Sequence, residues 1–323
     1  MPTTTNTTTS STQRSPFSVN WAGVFPAIST QFHADGSINF AENQRMLEQL
    51  IADGIDGIIA LGTIGENASL SAAEKREFLQ HTVRTVAGRI PVIAGCTEHS
   101  ATDAVVYVQD AQQIGVDGIM LLPAVVYRGT DREVLVHYQT VARATTLPIM
   151  IYNNPVSYGV DINLQMTAIL AEEPNIVAIK ESTTDTRRIT ELQSRFGDRF
   201  VIFCGVDDIA LESVLLGATG WISGLTNVFP RESVTLFALA RAGYLKEARE
   251  IYRWFMPLLR LDTIPTLVQC IKFAEQLVGR GSEQVRLPRL TLIGDERAYV
   301  EKVLAEALAS RPDLSHYQRL LQQ

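Results

Sequence analysis

Apolar residues along the chain fall into two alternating textures. Short, nearly continuous runs of Val, Ile, Leu and Ala occupy residues 24–30, 57–61, 91–94, 118–122, 148–152, 176–180, 200–204 and 220–223. Each is flanked by Gly, Pro or Asn. Runs that are apolar at every position, rather than at alternate ones, suit parallel strands covered on both faces. Between them, apolar residues recur at helical spacing. Phe40, Leu47 and Leu50 form one stripe, and Ala104, Val108 and Ala111 a second. Val134, Tyr138 and Val141 form a third, and Ile189, Leu192 and Phe196 a fourth. Ser71 with Glu74, and Thr130 with Glu133, match the Ser/Thr-x-x-Glu capping box that opens a helix. Gly88, Gly115 and Gly197 stand where helix ends favour a left-handed residue.

Eight strand-like runs alternating with helices imply an α/β protein with a parallel sheet. An open doubly wound sheet is the competing arrangement. Eight units in about 220 residues fit a closed (β/α)₈ TIM barrel better. Strand texture ends after Pro230, and residues 246–259, 266–278 and 296–308 read as helices. The expected organisation is a Thr/Ser-rich disordered tail over 1–19, the barrel over 20–243 and a C-terminal helical extension over 244–323.

Composition narrows the function. At 323 residues the chain can bury a large core without metals or disulfides. A net charge of -7 disfavours broad binding to nucleic acid or to an anionic membrane, and no apolar run approaches the ~20 residues of a membrane helix. Cys96, Cys204 and Cys270 are far apart and odd in number, so neither a metal knuckle nor a disulfide framework is indicated, and a reducing cytoplasm is the expected setting.

In a TIM barrel the catalytic groups sit at the C-terminal ends of the strands. Only five lysines occur, and Lys75, Lys246, Lys272 and Lys302 lie in helix-like segments where solvation suffices. Lys180 instead ends the buried run Ile176-Val177-Ala178-Ile179. Desolvation there lowers an amine's pKa, and a neutral amine attacks carbonyls. An ion pair with Glu181 is the structural alternative. Tyr152 ends the preceding run, where a phenol can move protons or simply pack in the core. Gly62-Thr63-Ile64-Gly65-Glu66 follows the second run, and its glycines allow backbone amides to gather around a carboxylate or merely make a tight turn. After the seventh run, Gly205, Asp207 and Asp208 offer substrate contacts or helix caps; after the eighth, Ser223 stands at the strand mouth. His99 is the histidine nearest these ends, and no histidine spacing suggests a metal.

Gly62-Thr63-Ile64-Gly65-Glu66, Tyr152-Asn153-Asn154-Pro155 and Ile179-Lys180-Glu181-Ser182 together resemble the signatures of the dihydrodipicolinate synthase and N-acetylneuraminate lyase family. The resemblance implies that Lys180 forms a Schiff base with a small 2-oxo acid. It implies that Tyr152 relays protons and that Thr63 links that tyrosine to solvent. It makes the amides of Thr63 and Ile64 the carboxylate pocket, and gives Gly205, Asp207 and Asp208 the distal part of the substrate. It implies a homotetramer that needs no organic cofactor and no metal. Three departures point away from dihydrodipicolinate synthase proper. Ile64 replaces a second Thr, Ser157 stands where that enzyme has an Arg, and Tyr127 is offset from its paired tyrosines. With Val125 and Val156, Ile64 suggests an apolar lining unsuited to a second carboxylate. The favoured chemistry is dehydration or deamination of a hydroxylated 2-oxo or 1-pyrroline-2-carboxylate acid. Retro-aldol cleavage of a 2-keto-3-deoxy sugar acid is the alternative, and a barrel that binds a 2-oxo acid without turnover is the alternative outside catalysis.

Overall fold

The computed structural model describes residues 17–322. The expected tail therefore falls outside the described residues except at 17–19, where Phe17 and Val19 pack against the core instead of trailing free. The strands are β1 (Gly23–Pro26), β2 (Ile58–Ala60), β3 (Val92–Cys96), β4 (Gly118–Leu121), β5 (Ile149–Asn153), β6 (Ile176–Glu181), β7 (Val201–Cys204) and β8 (Gly220–Ser223). Around the barrel run α1 (Phe40–Ala52), α2 (Ala72–Val86), α3 (Ala101–Ile114), α4 (Asp131–Ala142), the short α5 (Pro155–Tyr158), α6 (Leu164–Leu170), α7 (Arg187–Phe196), α8 (Ala210–Leu215) and α9 (Pro230–Ala242). The extension carries α10 (Leu245–Leu259), α11 (Leu267–Leu277), α12 (Gly294–Ala309) and α13 (Ser315–Leu320).

All eight strands pair in parallel, in the order β1-β8-β7-β6-β5-β4-β3-β2. A bridge between Ala27 and Ile59 joins β1 to β2 and nearly closes the ring, giving a (β/α)₈ TIM barrel. Nearly every strand residue is buried, which is why the strands read as unbroken apolar runs. Phe25 and Phe203 meet edge to face inside the barrel, 5.1 Å between centroids. Glycines make that packing possible: a Cβ at Gly220 would fall 2.1 Å from the Phe203 ring, and one at Gly57 2.3 Å from Phe25. The helical stripes face inward as the spacing predicts, with Leu47, Leu50, Ala104, Val108, Val134, Tyr138, Ile189 and Leu192 all buried. Both capping boxes form. Glu74 accepts from the Ser71 amide at 2.9 Å, and Glu133 from the Thr130 amide at 2.7 Å.

Two expectations about lysines are corrected. Lys75 is buried and donates to Glu98 Oε1 at 2.6 Å. Lys272 is fully buried, 2.9 Å from the equally buried Glu66, and also donates to the Thr30 carbonyl at 2.7 Å. α11 is wedged against the barrel, with Val268, Cys270, Ile271, Phe273 and Ala274 buried as well.

Candidate active site

The mouth of the barrel holds a cavity of ≈ 480 Å³. Strand register builds its centre. Tyr152 on β5 pairs with Lys180 on β6, so the two side chains rise together at the C-terminal strand ends. Lys180 Nζ stands 4.0 Å from the centroid of the Tyr152 ring. The lysine is 6% exposed, and among the described residues no carboxylate is within ion-pair distance. Glu181, the partner considered from sequence, points elsewhere: it accepts from Asn153 Nδ2 at 3.1 Å and from the Thr183 amide at 2.7 Å. Burial lowers the Lys180 pKa, opposed first by the charge of Asp262. Burial also pushes the Tyr152 phenol up to about 12. Both shifts favour neutral forms, an amine able to attack and a phenol able to donate.

The remaining residues expected at the site divide. Thr63, Ile64 and Gly205 line the cavity. The amides of Thr63 and Ile64 make no hydrogen bond among the described residues. Their loop is held by Asn67 Nδ2, which donates to the Leu61 carbonyl at 3.0 Å, and by Thr30 Oγ1, which donates to the Gly65 carbonyl at 2.7 Å. Gly205 must lack a side chain: its Cβ would fall 2.1 Å from Ser182 Oγ and 2.5 Å from Lys180 Cε. Asp207, Asp208 and Ser223 do not line the cavity, which corrects the expectation of direct substrate contact. Asp207 is fully buried and accepts from Trp221 Nε1 at 3.0 Å, Ser223 Oγ at 3.0 Å and the Leu225 amide at 3.1 Å. Neither aspartate caps a helix with its side chain. Asp208 faces Arg260 at 3.9 Å, and its carbonyl accepts from the Tyr252 hydroxyl. Val156 lines the cavity while Val125 does not, and His99 lies exposed outside it.

Two contributors escaped the sequence reading. Thr63 does not bond to Tyr152; its Oγ1 lies 2.8 Å from the hydroxyl of Tyr158, whose ring meets that of Tyr152 edge to face at 5.7 Å. Asn154 caps α5 through the Ser157 amide at 2.9 Å and closes it into a turn, carrying Tyr158 back over the site. Asn154 Nδ2 also donates to the Tyr152 hydroxyl at 3.0 Å. The second contributor is the extension. Asp262, Thr263, Ile264, Pro265 and Leu267 form one wall of the cavity. Among the described residues Lys180 is the cavity's only cationic side chain, and no cluster of His, Cys, Asp and Glu is assembled to hold a metal.

The model of the dihydrodipicolinate synthetase family matches residues 20–307. The chain belongs to this family. It is 33% identical over 287 residues to the 4-hydroxy-tetrahydrodipicolinate synthase of Kosmotoga olearia, covering 88% of this chain and 97% of that relative. The enzyme of the same name from Geotalea daltonii is 35% identical over 269 residues, 82% of this chain and 91% of the relative. Among solved structures, the 4-hydroxy-tetrahydrodipicolinate synthase of Methylacidiphilum fumariolicum SolV superposes with a TM-score of 0.88 at 32% identity, covering 93% of this chain and 99% of that one. The protein is thus an enzyme of the lysine Schiff-base lyase type acting on pyruvate-like substrates, which sets aside a barrel that only binds. Among the described residues no helix is long and apolar enough to cross a membrane.

Proposed function

We propose that Lys180 is the Schiff-base lysine, and that the protein dehydrates or deaminates a hydroxylated 2-oxo acid or 1-pyrroline-2-carboxylate rather than making dihydrodipicolinate. The amine attacks C2, and water leaves from an open ketone, or the ring nitrogen is displaced from a cyclic imine. The protonated imine draws electrons from C3 and acidifies its hydrogen, and Tyr152, Tyr158 and Thr63 carry that proton. The amides of Thr63 and Ile64 receive the substrate carboxylate. Loss of the C4 hydroxyl then completes the elimination.

The observation that carries this reading is a cavity whose one cation is the nucleophile itself. The second substrate of the synthase carries its own carboxylate, and among the described residues no guanidinium lines the cavity to receive it. Ser157 lines the cavity at the arginine's place, Ile64 and Val156 add apolar surface, and Tyr127 turns outward to Glu133 at 3.1 Å. Retro-aldol cleavage of a 2-keto-3-deoxy sugar acid is the second reading. It is favoured by the hydroxyls of Ser157, Thr184 and Thr263, which suit a polyol tail. Three buried free thiols fit a reducing cytoplasm, and the exposed Val126, 89% accessible, fits self-association toward a homotetramer, which sedimentation checks.

The deciding experiment treats the enzyme with borohydride in the presence of pyruvate and maps the peptide adduct. The adduct falls on Lys180 and disappears in Lys180→Ala. Steady-state assays on both substrate classes then separate ammonia and an oxo-acid semialdehyde from released pyruvate. An adduct on another lysine refutes the assignment; pyruvate release alone selects the aldol reading.

A further inference from the structure

Asp262 is the only carboxyl group lining the cavity among the described residues. It comes from the turn between α10 and α11, outside the barrel strands. A Cβ built on Gly224 would fall 2.4 Å from its Oδ1, so the loop after β8 is stripped of a side chain where this carboxyl lies. It has no ion pair among the described residues; Arg260, two positions before it, turns toward Asp208 instead. Two charged groups face it: Lys180, and the buried Asp207, fixed by its three donors. Its carboxyl hydrogen-bonds the Asp207 carboxyl and accepts from the Gly224 amide, so a buried pair of carboxyl groups holds a proton at the edge of the cavity without an ion-paired cation to neutralise it.

We propose that Asp262 is the acid that protonates the departing C4 hydroxyl of the substrate bound to Lys180. The inference rests on the dehydration reading above. As the C3 proton leaves, its electron pair forms the C3–C4 double bond and the C4–O bond breaks. The oxygen departs as water with the Asp262 proton, and the Asp262 carboxylate is reprotonated from solvent. Burial and the neighbouring Asp207 raise the Asp262 pKa well above the usual carboxylate range, which keeps the proton available. Retro-aldol cleavage asks the reverse of this position, a base that removes the C4 hydroxyl proton. A carboxyl held protonated serves elimination.

The test is Asp262→Asn, which keeps the side chain's shape and an acceptor for the Gly224 amide. It is assayed on a 4-hydroxy-2-oxo acid and on its 4-fluoro analogue, whose fluoride leaves without a proton. The expected result is a kcat on the hydroxy acid lower by about 10²-fold or more, with the fluoro acid within about threefold of the parent. Borohydride trapping of pyruvate on Lys180 remains intact. Undiminished elimination of the hydroxyl overturns the inference. Parallel loss of fluoride elimination or of trapping also overturns it, because Asp262 would then be setting up Lys180. A parent enzyme that eliminates neither group overturns the dehydration reading, and this inference with it, whereas an active parent with an unaffected variant removes the inference alone.

Discussion

Replacing Lys272 with methionine leaves the Glu66 carboxylate in a fully buried site without its strongest partner. Breaking a buried ion pair by removing one member costs ~3–5 kcal/mol, because the remaining charge stays desolvated. The geometry places this case toward the lower end. Glu66 Oε2 keeps a hydrogen bond from the Arg286 amide at 2.9 Å, and Arg289 approaches the same oxygen at 3.9 Å. Methionine also fills most of the volume against Phe32, whose ring centroid lies 4.5 Å from the lysine nitrogen. Lys272→Met should therefore lower the unfolding free energy by about 3 kcal/mol. Equilibrium urea denaturation, followed through Trp21, Trp221 and Trp254, measures it. Adding Glu66→Gln should recover much of the loss, since the uncompensated charge is then gone. Glu66 closes the loop that presents the Thr63 and Ile64 amides, so KM should rise in the single variant more than kcat falls. A single variant within 1 kcal/mol of the parent, or a double variant no better than the single, would refute the electrostatic account.

Tyr158→Phe removes the hydrogen bond to Thr63 and should slow turnover by about 10-fold or more, yet leave borohydride trapping of pyruvate unchanged, as rapid-quench assays can show. Gly205→Ala drives a methyl group into Ser182 Oγ and Lys180 Cε and should suppress the trapped adduct while circular dichroism stays that of the parent. Burial pushes Glu275 up to about 7, so the folded state holds this proton more tightly than the unfolded state does. Stability should accordingly fall as pH rises from the ordinary carboxylate range through about 7, and denaturation of Glu275→Gln at pH 5.5 and 8 should show that slope flattened. Depression of the Lys180 pKa extends the neutral amine to lower pH, so the rate of adduct formation should decline only as pH drops through that lowered value, visible in a pH series of trapping rates.

Much of the barrel was legible because burial on both faces leaves an unmistakable apolar run, and β8 coincides with its predicted span. Lys180 and Tyr152 were legible because each ends such a run. Tyr158 was not, because nothing local reveals that a four-residue helix turns its hydroxyl back to a threonine 95 positions earlier. Lys272 was misread for a related cause: its partner is 206 residues away, and helical spacing alone does not say that the polar face of α11 is also covered. Asp207 looked like a binding residue because a strand mouth suits one. The donors that consume its oxygens arrive from β8 and the loop beyond it.

The segment from Asp262 to Leu267 walls the cavity although it lies downstream of the last strand. Nucleophile and phenol are thereby anchored in one part of the polypeptide, while the surface meeting the substrate's far end comes from another. Exchanging that short stretch between relatives offers a route to new selectivity that never disturbs the β-barrel staves. A ribosome must also release residues well past the eighth stave before any nascent chain can turn over its first molecule.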